Sequence, residues 1–156
     1  MVTDLSEHVE SLHREITPFE QVEDSLSQAD QLKLTHYLVD GFWEARLDGF
    51  MDGYVVGSSG QVDPALPREK VALCVIYAGI RILRLQLVNT EAHFRATAGP
   101  VGFESRVSAT VMAEMLRQLE ARKQQLLEAL ESTDAYVLDA LTTRTLSVGS
   151  YGGWVN

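Results

Sequence analysis

The run from His93 to Leu130, HFRATAGPVGFESRVSATVMAEMLRQLEARKQQLLEAL, constrains this chain more than any other stretch. It opens as a Gly/Pro-punctuated elbow, Ala98-Gly99-Pro100-Val101-Gly102-Phe103, and passes straight into the longest amphipathic segment of the sequence. Small or apolar side chains recur at Ser108, Met112, Met115, Leu119, Leu126 and Leu130, at spacings of three, four and seven. Arg106, Glu114, Arg117, Gln118, Glu120, Lys123 and Gln124 fall mostly between them. That period predicts one apolar stripe along a long helix, which other helices must cover. Gly99 and Pro100 set the elbow, because Gly reaches backbone angles that other residues avoid and Pro fixes its own. Phe103 suits either a core position or a contact with another chain.

The rest of the chain supplies the cover. Thr3 to Glu15 reads as a first helix with Thr3 or Asp4 as N-cap and Leu5, Val9, Leu12 and Ile16 on its apolar side. Pro18 ends it, and the acidic segment from Phe19 to Asp24 reads as a linker. Ser27-Gln28-Ala29-Asp30 offers a cap for a second helix, whose apolar positions are Leu32, Leu34, Leu38, Phe42, Ala45 and Phe50, with Tyr37 and Trp43 alongside. Asp52 to Pro67 reads as a loop around Gly57-Ser58-Ser59-Gly60, either a plain connection or a protrusion that touches a neighbour. Asp63-Pro64 or Pro67 then starts a third helix that is apolar almost all round from Val71 to Val88. Ala78-Gly79 permits one close crossing. Arg81 and Arg84 interrupt the run, and a charge at bilayer depth costs about 3 kcal/mol, so the segment is expected to be a buried helix and not a membrane span. The two arginines fit a wet strip paired with acids of the second helix.

After Glu131 the helical pattern fails; Thr133 to Ala140 reads at most as a frayed turn, and from Thr142 the composition turns to Thr, Ser and Gly. The expected architecture is therefore all-α: a small bundle of about four helices over residues 1–132, closing with a long helix, and an extended C-terminal arm over 133–156. In the arm Leu146 and Val148 alternate with polar residues, and Tyr151, Trp154 and Val155 come near its end. Such a segment cannot bury enough of its own surface to offset the entropy of ordering it, while Tyr and Trp serve well as anchors in another protein's pocket. Leu146, Val148, Tyr151, Trp154 and Val155 are the candidate partner-binding residues.

Composition bounds the function. The 156 residues suit one domain with a core that needs no disulfide, and the single cysteine, Cys74, cannot form one internally. The net charge is −9, and residues 1–50 hold eleven acids against three bases. A chain with no basic stripe is a poor clamp for nucleic acid, whose affinity for proteins comes largely from Lys and Arg on phosphate. His8, His13, His36 and His93 lack metal-ligand spacing, Cys74 has no partner, and neither a Gly-x-Ser-x-Gly elbow nor a Gly-Lys-Ser/Thr phosphate loop occurs. No catalytic, cofactor or metal site is expected, and an assembly role fits better than an enzyme.

Three blocks resemble the head-to-tail connector (adaptor or head-completion) proteins of long-tailed bacteriophages. They are Ala45-Arg46-Leu47-Asp48-Gly49-Phe50 with Tyr54, Tyr77-Ala78-Gly79-Ile80-Arg81 with Asn89, and Ala98-Gly99-Pro100-Val101-Gly102-Phe103-Glu104 with Ser108-Ala109-Thr110. Gly102 and Met51 stand where the family commonly carries a second bulky residue. The resemblance implies a helical bundle in the virion neck, assembled in the host cytoplasm as a homo-oligomeric ring, typically a dodecamer, beneath the portal protein. It would join the DNA-filled head to a stopper or tail-completion protein, with the C-terminal segment docked on the portal and DNA passing through without specific binding. Under that reading the acidic first two helices would line the tunnel and repel phosphate. The alternative is another helical interaction module, an assembly chaperone or regulator with a partner-binding tail.

Overall fold

The computed structural model describes residues 1–16, 26–96, 100–132 and 135–146, with side chains given except at 90–96 and 100–108. The fold is all-α: the described residues form a bundle of five α-helices with a minor three-stranded sheet. β1 (Thr3–Asp4) leads through a 3-10 turn (Leu5–His8) into α1 (Val9–Ile16); α2 spans Gln28–Leu47, β2 Val55–Val56 and β3 Gln61–Asp63. α3 (Arg68–Ala96), α4 (Pro100–Ser132) and α5 (Ala135–Leu146) complete it.

Both expected caps are present. The Asp4 carboxylate accepts the Ser6 amide at 2.9 Å, and Ser27 Oγ accepts that of Asp30 at 3.2 Å, each satisfying a first-turn N–H that has no partner within its own helix. Pro67 stands immediately before α3, and its carbonyl accepts the amides of Lys70 and Val71.

α3 is the axis of the molecule, packed against α2, α4, α1 and α5, while α2 and α4 scarcely touch. Every residue from Val71 to Ile80 is buried, as expected for a helix enclosed on several sides. Two adjacent small residues serve two neighbours. Ala78 faces Gly41 of α2, where an added Cβ would stand 2.9 Å from the Ala78 nitrogen and 2.5 Å from the Cys74 carbonyl oxygen. Gly79 faces the other way, towards Leu119 of α4 and Glu15 of α1. Leu119 and Leu126 of the α4 stripe are fully covered, with Met115 and Leu130 partly so. Residues 68–89 are long and apolar enough to cross a membrane, yet most of that window is buried inside the bundle, as for the core helix of a soluble protein.

Two segments depart from the sequence reading. The supposed loop before α3 is a hairpin in which Val55 pairs with Asp63 and Val56 with Val62, while Thr3 pairs with Val62 on the far edge of β3. Val56 and Val62 point inward between exposed neighbours, and Gly60, at φ +87°, sits against Thr35 and hands its carbonyl to the Leu5 amide. The signal was two short β-branched segments on either side of Gly-Ser-Ser-Gly.

The second departure is the start of the arm. Residues 135–146 form a helix, α5, and not an extended strand; it lies against α3 and α4 and buries Thr142 and Thr145. Their hydroxyls and that of Ser11 are buried with no partner among the described residues. A buried hydroxyl with no partner costs about 1–3 kcal/mol. Thr142→Val, which keeps the shape, is therefore expected to raise stability by about 1 kcal/mol, seen as a higher urea midpoint at unchanged slope. An unchanged or lower midpoint would mean that the hydroxyl has a partner in solution.

Candidate functional site

Two of the three blocks quoted above meet inside the fold. The Tyr77 hydroxyl donates to the Asp48 carboxylate, so α3 is tied to the end of α2. Burial, then that bond and the neighbouring negative charge, push the Tyr77 hydroxyl well above its ordinary range, so it stays protonated and remains a donor. Arg81 reaches Glu44 at 2.7 Å and Asp40 at 3.6 Å. Arg81 thus pairs with acids of the second helix as expected, whereas Arg84 turns to α4 and binds Glu120 at 2.6 Å. On the opposite flank Lys123 Nζ lies 5.0 Å from the Tyr77 ring centre. Asp48, at the end of α2, thus has a structural partner. Cys74 is a small core residue; burial raises its thiol to about 12, so it is no nucleophile at neutral pH.

The surface feature that stands out is the outer side of α2. Leu32 and Trp43 are separated by three helical turns and Leu47 follows Trp43 by four residues, so all three share one face with His36. That face lies opposite Leu34, Leu38 and Ala45, which pack into the core. Leu32 is 60% exposed, Trp43 45% and Leu47 87%. One exposed leucine needs no explanation; three large apolar side chains on one face make it a candidate interaction surface. Trp43 is already held: its ring and the Phe42 ring meet edge to face with centres 5.7 Å apart, and the Arg46 guanidinium lies over the Trp43 ring, 5.3 Å from its centre. The sequence reading counted Leu32 among the core positions; the structure moves it to this outer face. The spacing from Leu32 to His36, Trp43 and Leu47 carried the signal, hidden because the inner face is equally apolar.

Between α4 and α5 lies a cleft of about 210 Å³ lined by Arg117, Gln118, Ala121, Arg122, Gln125 and Arg144. Arg117 is bound by Glu114 at 2.7 Å on the same helix, and Arg122 by Glu15 of α1 at 2.6 Å. The hydrogen bonds from Arg117 and then Gln118 hold the Glu114 carboxyl down at about 2. Arg144 has no acidic partner within 4.0 Å among the described residues. A larger hollow of about 510 Å³ opens where α3 begins and α4 ends, lined by Arg68, Glu69, Leu130, Leu138, Asp139 and Thr142, with Ala135. Among the described residues, no three His, Cys, Asp or Glu side chains gather closely enough to hold a metal ion.

Comparison with protein-family models, with curated proteins and with solved structures finds no match. The site must be read from its own residues.

Of the partner-binding residues proposed from sequence, Leu146 is the last residue of α5, half-buried and packed against the core, which corrects its assignment to an extended arm. Val148, Tyr151, Trp154 and Val155 lie outside the described residues. So does Gly99 of the elbow; Pro100 is the first residue of α4, where a proline costs nothing, and Phe103 lies in the opening turn with its side chain outside the description.

Proposed function

We propose that this chain is a virion structural protein, a head-to-tail connector that forms a ring beneath the portal and joins the DNA-filled head to the stopper or tail while enclosing the DNA channel. The observation that carries the reading is the second apolar face of α2: a helix that fills its own core and still offers Leu32, Trp43 and Leu47 outward is built to be covered by protein. The resemblance supplies the identity of the assembly. Its first two blocks join through Tyr77 with Asp48, and Arg81 of the second holds Glu44, the residue just before the first. The excess of acids in residues 1–50 suits a channel that must let DNA slide, because it leaves little to grip phosphate.

Labelling virions with antibody against this chain tests the reading. The expected result is label at the neck of mature particles. Label confined to assembly intermediates would indicate a chaperone, which leaves before completion, and would overturn the proposal. Removing residues 147–156 is expected to leave the helical content unchanged and to abolish retention on the portal; undiminished retention would refute the anchoring role of Tyr151, Trp154 and Val155.

A further inference from the structure

α5 is held to the body differently from every other helix. α1 buries Leu12 and is tied to α4 through Glu15 and Arg122; α2 buries Leu38 and Phe42 and is tied to α3 through Glu44 and Arg81. α4 buries Leu119 and Leu126 and is tied to α3 through Glu120 and Arg84. α5 turns Leu138, Leu141, Thr142, Thr145 and Leu146 towards the body, at the spacing of one helical face. Its three leucines are only half-buried. Its fully covered positions are the two threonines, whose hydroxyls find no partner among the described residues. Its charged side chains, Asp139 and Arg144, enter no ion pair among those residues. Gaps lie along it as well: the hollow of about 510 Å³ beside Leu138 and Thr142, and the cleft of about 210 Å³ beside Arg144.

We propose that α5 is a latch, which leaves the bundle and unwinds as one unit while α1 to α4 stay folded. The cause is a contact made of half-covered leucines and unpaired hydroxyls.

Docking and helix formation are one event here. Twelve residues are too few to hold a helix alone in water, and Thr142, Thr143 and Thr145 are weak helix formers. The helix therefore unwinds once its stripe leaves the body. Opening gives the two hydroxyls back to water, which offsets part of the leucine burial that is lost. The free energy of opening thus falls below that of unfolding the whole bundle, whose α3 has every residue from Val71 to Ile80 buried. Docked, α5 is about 18 Å long, whereas its residues unwound reach about 40 Å. Val148, Tyr151 and Trp154 follow its end, so the latch sets how far from the body they extend. That use rests on the connector reading; the opening does not.

Hydrogen exchange read by mass spectrometry tests the latch on the free chain. Relative to their unstructured rates, amides of 135–146 are expected to exchange at least roughly a hundredfold faster than those of 71–83. Their rate is also expected to change little in dilute urea, because a local opening exposes little surface. Thr142→Val with Thr145→Val, which removes the unpaired hydroxyls, is expected to slow exchange in 135–146 by about tenfold or more. Equal protection of α5 and α3 with the same urea dependence, or an unchanged rate in the valine variant, would overturn the proposal. Thr145→Cys gives a second reading that needs no valine variant. Cys74, wholly buried in α3, is its internal standard, because that thiol meets reagent only when the bundle itself opens. A thiol reagent is expected to label the introduced sulfur at least roughly a hundredfold faster than Cys74. Labelling of both at one rate overturns the latch. Neither measurement involves a virion, so the connector reading and the latch fail separately.

Discussion

Gly41→Ala is expected to destabilise the fold by about 2 kcal/mol or more, lowering the urea midpoint by roughly 1 M. Two effects oppose each other at this position. Alanine is the better helix former by about 1 kcal/mol, which favours the substitution in an isolated helix. Against that, its Cβ would stand 2.5 Å from the Cys74 carbonyl oxygen and 2.9 Å from the Ala78 nitrogen. Both atoms belong to the α3 backbone, so no side chain can rotate away and α2 must move bodily from α3. The clash wins. Gly79→Ala is the control: its nearest neighbour is Leu119 Cδ1 at 3.0 Å, the movable end of a side chain, so the change is expected to stay within about 1 kcal/mol of the parent. Equal effects at the two glycines would contradict the close approach of α2 to α3.

Breaking the pair between Glu15 and Arg122 is expected to cost about 3 kcal/mol from either side. The distance is 2.6 Å, and the two side chains are only 14% and 11% exposed, unlike the other ion pairs here. Arg122→Ala leaves a carboxylate largely shielded from water beside Gly79, and Glu15→Ala leaves a guanidinium in the same position. Most of each loss is the penalty of the stranded charge. The double variant Glu15→Ala with Arg122→Ala is therefore expected to lose far less than the two single losses together, because it strands no charge. Thermal unfolding of the four proteins reads the coupling directly. Additive losses would show that the pair is solvated. The exposed Glu114–Arg117 pair, by contrast, is expected to be nearly neutral when removed.

Which features were legible in the sequence follows from how singly each residue's role is determined. Leu5, Val9 and Leu12, and later Leu119 and Leu126, repeat with the helical period and face one core, so periodicity found them. Asp4 and Ser27 cap where a short polar side chain precedes such a run. Arg81 could be paired with the second helix because a charge in an apolar helix must leave on a wet side; Arg84, assigned to the same acids, instead meets Glu120, because α3 has α4 on its other flank. α5 escaped notice because its fully buried positions are Thr142 and Thr145, with Leu138, Leu141 and Leu146 only partly covered, and threonine is a weak helix former. The hairpin escaped because strands of two or three residues carry no measurable alternation. For the candidate surfaces the difficulty was of another kind. α2 is apolar on two opposite sides, and one sequence cannot say which side is inside. The arginine cleft joins Arg117 and Arg122 to Arg144 from a helix that composition alone did not predict.

Electron microscopy of the purified chain mixed with the portal protein of the proposed assembly tests the central claim most directly. The account predicts closed rings of uniform copy number stacked coaxially on the portal, with an open central channel. Single subunits scattered on the portal, or no complex at all, would contradict it.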